Sequence, residues 1–113
     1  MVGKRKLGRP TASRRAMLRA MVTFLFEHEK IKTTVAKAKE LKSAAEKIIT
    51  ISKNNNLNAK RRALSYVTKE SVVKKLFDEI APRYEDRKGG CISLTRIGVR
   101  RGDASEMVIV KLV

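Results

Sequence analysis

Few residues in this sequence have the type and spacing for catalysis, and those few lack partners. His28 stands between Glu27 and Glu29, which would suit proton transfer if the three converged. As neighbours at a helix end, however, they point in different directions. Cys91 is the single cysteine, and no second histidine lies near it in sequence; it reads as a small buried residue. Gly89-Gly90 reads as a turn, because a phosphate loop needs more glycines and a following helix. Arg101-Gly102-Asp103 matches an adhesion tripeptide, but three residues carry almost no specificity, and turn chemistry accounts for them. No His/Cys cluster has metal-ligand spacing, and no dinucleotide fingerprint or nucleophile elbow is present. We therefore expect no catalytic residue, no metal and no cofactor.

The abundant chemistry is cationic. In 113 residues, 27 Lys and Arg face 11 Asp and Glu, a formal net charge of +16. Lys4, Arg5, Lys6, Arg9, Arg14, Arg15 and Arg19 all precede the first acidic residue, Glu27. Charge of this size opposes compactness until an anionic partner neutralises it. For a folded basic domain that partner is nucleic acid before it is a membrane. The single cysteine excludes an internal disulfide framework and fits a reducing cytosol. The first residues lack the apolar core of a signal peptide, and no apolar run approaches membrane-spanning length. The expectation is a soluble cytoplasmic protein.

These cations need elements to hold them. Residues 1–12 mix Gly3, Gly8 and Pro10 with basic residues and read as an arm that orders on its partner, the alternative being a solvated terminus. Residues 13–113 read as one domain. Ser13 or Thr11 can cap a helix to about His28, whose stripe is Met17, Leu18, Met21, Val22, Phe24 and Leu25, with Arg15 and Arg19 facing outward. Ile31-Lys32-Thr33 suggests a brief strand. Thr33 or Thr34 can cap a second helix to about Ser52, with Val35, Ala38, Leu41, Ala45, Ile48 and Ile49 inward. After the Asn54–Asn56 turn, Asn58 can cap a third helix to about Tyr66, placing Lys60, Arg61 and Arg62 in its first turn. The helix dipole disfavours cations there, so an external anion would relieve them; a solvated basic turn is the alternative. Thr68 can cap a fourth helix that Pro82 stops. The remainder reads as a β-hairpin with a bulge near Thr95 or Arg96 and a returning strand from Met107 to Leu112. Pairing with Ile31–Thr33 would give three strands. The predicted class is α+β: about four helices with a small mixed or antiparallel three-stranded sheet, plus the basic N-terminal arm.

Known nucleic-acid modules fit poorly. A strand interrupts the helix pair where a helix-turn-helix needs a tight turn, and zinc spacing and zipper heptads are missing. The hairpin lacks the aromatics of an RNA-recognition sheet. What is left is binding of RNA shape and phosphates by arm, helix and loops. A nucleoid-type DNA-binding protein is the alternative that charge alone would permit.

Several ordered blocks closely resemble one family. Lys4-Arg5-Lys6-Leu7-Gly8-Arg9, Ser13 to Arg19, His28 to Thr34 and Ala36 to Leu41 resemble the seventeenth protein of the bacterial large ribosomal subunit. So do Ala81-Pro82-Arg83-Tyr84, Arg87 to Gly90, Thr95-Arg96-Ile97 and Arg101 to Ala104, and the likeness covers nearly the whole chain. It implies a non-catalytic, structural constituent of the large subunit with an α+β fold. Such a protein binds large-subunit ribosomal RNA, contributes to subunit assembly and translation, and touches neighbouring ribosomal proteins near the nascent-chain exit. On this joint reading Lys4, Arg5, Lys6 and Arg9 neutralise phosphates, and Arg14, Arg15 and Arg19 anchor the arm to a rigid helix. Lys32, Lys60, Arg61, Arg62, Arg96, Arg100 and Arg101 are further candidate RNA contacts. No membrane and no small-molecule substrate is expected.

Overall fold

The fold is carried by α1 (Thr11–His28), β1 (Lys30–Thr34), α2 (Val35–Ser52), α3 (Leu57–Tyr66) and α4 (Glu70–Lys75), then by β2 (Ile92–Val99) and β3 (Glu106–Leu112). Between α4 and β2 the helix continues through a π-helical stretch, Leu76–Ile80, into a last turn, α5 (Ala81–Arg83). These elements come from a computed structural model that describes residues 11–113. The expected arm lies outside the described residues, apart from its last two, which belong to α1.

The predicted α+β class holds. The three strands form one sheet in the order β1-β3-β2, antiparallel throughout. Ile31 and Leu94 both pair with Val110, so β3 is held from both sides. The ladder between β2 and β3 slips between Arg96 and Gly98, which makes Ile97 the extra residue of a bulge. Gly98 there has φ of 120°, a conformation that side chains with a Cβ resist. The bulge thus falls one position later than the alternation of apolar residues suggested.

Helices cover one face of the sheet. Val22, Leu25 and Phe26 of α1, Ala38, Leu41, Ala45, Ile48 and Ile49 of α2, and Leu76, Phe77 and Ile80 beyond α4 meet Val108, Val110 and Leu112 in one core. Phe26 is fully buried, whereas Phe24, placed in the stripe by sequence, is 45% exposed. Its ring lies 4.3 Å from that of His28, one turn on. At 100° per residue the buried arc centres on Val22, Leu25 and Phe26, and Phe24 falls on nearly the opposite side of the helix.

Caps differ from expectation in three places. Asn56, not Asn58, caps α3: its side chain accepts from the Ala59 N–H at 2.8 Å. Thr34 sits at the N-cap of α2 without a side-chain bond. Thr68 does not cap α4; its N–H donates to the Thr23 hydroxyl at 3.1 Å, tying that corner to α1 instead. Pro82 does not stop the helix either, which runs on to Arg83. In a regular α-helix the proline ring would press on the Asp78 carbonyl. The wider turn before it, in which Ala81 N–H reaches Leu76 O, removes that conflict.

Candidate nucleic-acid interface

Cations on this surface divide by what they already hold. Arg19, expected to face outward, bends onto α3. Its Nε donates to Tyr66 O and its Nη2 to Ser65 O, both at 3.0 Å. These carbonyls end α3, where backbone acceptors lack helical partners and a cation is favourable. Arg19 is thus a strut between helices. Burial pushes the neighbouring Tyr66 hydroxyl above its ordinary pKa, and the Arg19 charge partly offsets this.

Arg14 and Arg15 sit one turn before Arg19 and line a hollow of about 350 Å³ with Leu18, Glu40 and Tyr66. Arg15 is exposed, Arg14 half-buried. The four arm residues Lys4, Arg5, Lys6 and Arg9 lie outside the described residues.

On α3, Lys60, Arg61 and Arg62 are all exposed. Because the helix starts at Leu57, Arg61 and Arg62 fall beyond its first turn, and the dipole penalty expected of the triplet fades with them. Lys60 lies 5.8 Å above the Phe77 ring, a partner for its charge within the protein. Arg62 turns the other way, into a groove shared with α2 and the connection before β2.

At the hairpin, Arg96 pairs with Glu106 and Arg100 with Asp103. Asp103 also accepts from the Ser105 N–H at 3.1 Å, and these donors hold its carboxyl well below the usual carboxylate range. The acid of Arg101-Gly102-Asp103 is therefore already engaged by the residues that flank the tripeptide. Arg101 has no such pairing among the described residues and, with Lys32 of β1, lines a shallow hollow beside Ile97 and Met107. Among the described residues the ten predicted contacts do not form one patch. The described ones gather at the start of α1, along α3, and around the hairpin end of the sheet.

The candidate catalytic groups stay apart. Glu27 meets Lys69 at 3.0 Å, and the Arg83 guanidinium forks onto Glu29 at 2.7 and 3.3 Å. Lys75 adds a contact to Glu29 at 3.3 Å. Both carboxyls are held below their ordinary pKa by these donors. His28 meets Glu27 at 3.6 Å and lies against the Phe24 ring. Cys91 is buried, and burial pushes its thiol up, away from the reactive thiolate. Among the described residues no three His, Cys, Asp or Glu side chains could hold a metal ion. No helix among them is long and apolar enough to cross a membrane.

Known sequences resemble this one along nearly its whole length. The family model described as Ribosomal protein L17 matches residues 17–113. Large ribosomal subunit protein bL17 of Clostridium acetobutylicum is 58% identical over 111 residues, covering 98% of this chain and 97% of its own. The bL17 proteins of Clostridium tetani and Clostridium botulinum are 57% and 54% identical over 113 residues, each covered end to end.

Proposed function

Since the chain belongs to the ribosomal protein L17 family, we propose that it is held in the large subunit by a basic arm and a set of unneutralised surface cations that dock on ribosomal RNA. The protein is a structural, non-enzymatic constituent of the large ribosomal subunit in the cytoplasm, and it binds ribosomal RNA and ribosomal proteins there. Nothing in the fold or the relatives favours a nucleoid-type DNA-binding role.

The observation that carries the proposed binding mode is the hollow at the start of α1. There the exposed Arg15 and its neighbour Arg14 continue a segment that holds four further cations and no acid. Lys and Arg side chains arrayed this way displace counterions from phosphates, and Arg can fork onto two phosphate oxygens. Arg15, Arg61, Arg62, Lys32 and Arg101 are the RNA contacts best supported within the folded domain, because none has a carboxylate partner among the described residues. Arg19, Arg96 and Arg100 rank lower, being engaged with protein acceptors. In this reading its protein neighbours lie near the nascent-chain exit.

Deleting residues 1–12 tests the arm. We expect strongly weakened binding to large-subunit RNA at matched salt, with the helical circular-dichroism signal retained. Unchanged affinity would remove the arm from the interface. Sedimentation of the tagged full chain through a high-salt sucrose gradient tests the parent reading: co-migration with the large subunit supports it, and migration with DNA or alone overturns it.

A further inference from the structure

We propose that the groove between α2, α3 and the connection before β2 is a second RNA site, which holds the sugar-phosphate backbone through Lys47, Lys53, Arg62 and Lys88. The inference rests on the family reading above and adds a surface to it, built from residues far apart in sequence.

The groove has a volume of about 530 Å³. Four cations from three elements line it, against one carboxylate, Glu46. Lys47, Arg62 and Lys88 have no ion-pair partner among the described residues. Lys53 donates to the Arg87 carbonyl, which leaves its charge uncompensated. At other points of the surface Lys69, Lys75, Arg83, Arg96 and Arg100 each meet a carboxylate. Gathering like charges without counter-ions costs Coulomb energy, and a polyanion seated between them reverses the sign.

Three details select an RNA backbone. The lining holds no aromatic ring, so bases find nothing to stack on, whereas lysines suit phosphates as point charges. Glu46 sets one negative charge among four cations, and it can accept a hydrogen bond from a ribose 2′-hydroxyl, a group that DNA lacks. The rim is also open to a bulky partner: a Cβ added at Gly89 or Gly90 would meet nothing within 4 Å. Gly90, two residues after Lys88, has φ of 67°, a left-handed bend that glycine adopts freely.

The test is a salt titration of binding to a large-subunit ribosomal RNA transcript. It compares the full chain with Lys47→Gln/Lys88→Gln and with a control, Lys74→Gln/Lys111→Gln, which removes equal charge from other exposed positions. For the groove variant the log–log slope should become shallower by about two, roughly one per lost phosphate contact, with the control near the wild type. An unchanged slope in the groove variant overturns the site while leaving the family reading intact. An equal fall in the control reports bulk charge and also overturns it. A groove variant that keeps the RNA slope but loses binding to polyglutamate would make the groove a protein-docking surface instead. Failure of the wild type to bind the transcript overturns both this site and the proposed binding mode.

Discussion

At the scale of single residues, identical side chains do different work, and only their neighbours tell them apart. Arg15 and Arg19 are one turn apart on α1, yet Arg15 is exposed while Arg19 closes α3 through two 3.0 Å bonds. Arg19→Gln should therefore lower stability by about 1–2 kcal/mol in urea denaturation, as expected for charge-assisted bonds. Arg15→Gln should leave stability within about 0.5 kcal/mol and instead make the salt dependence of RNA binding shallower. The sequence could not separate the two, because the carbonyls that Arg19 meets lie 46 and 47 residues away. Leu41, by contrast, was legible from periodicity and is fully buried. Leu41→Ala should cost about 2–5 kcal/mol by denaturant melting; a smaller shift would mean that the core closes over the gap. Glu29 couples the fold to pH. Arg83 lowers its folded-state pKa below the ordinary 4.5, so its contribution is present above that value and is lost as pH falls through the lower one. Acid unfolding of Glu29→Gln and the wild type should differ above about pH 4.5 and converge in stronger acid.

At the scale of elements, periodicity located all the main helices and strands and the ends of α1, α2 and α3, and misjudged which residues cap α3 and α4 and where the last helix stops. Apolar spacing reports which face a helix buries, and that survives small errors in register. A cap depends on which of several adjacent Asn, Ser or Thr residues has extended backbone, which spacing does not encode. Asn54, Asn55, Asn56 and Asn58 were all available, and Asn56, at φ −119° and ψ 174°, has the geometry. Asn56→Ala should cost about 1 kcal/mol, and Asn58→Ala much less, in paired thermal melts. The helix through Pro82 was illegible for a related reason. A proline stops a regular helix, but a π turn upstream lets it continue, and nothing local in the sequence announces that turn.

At the scale of the whole molecule, charge is not spread evenly. Five of the eleven acidic residues, Glu70, Asp78, Glu79, Glu85 and Asp86, fall within residues 70–86, where Lys74, Lys75 and Arg83 are the only cations. That flank is net negative, so the excess positive charge belongs to the rest of the chain. The polyanion-binding class was legible from composition alone, because counting charges needs no fold. The groove was not, because its lysines converge only after α2 and the connection before β2 have packed. The order of the sheet carries a consequence of another kind. Its central strand, β3, is the last of the three to be translated, and both β1 and β2 find their only partner in the sheet there. Until β3 emerges from the ribosome making it, the two earlier strands have open edges and no ladder. The sheet therefore cannot close during synthesis of the first hundred residues, and a nascent chain interrupted before Glu106 would present those edges to chaperones and proteases.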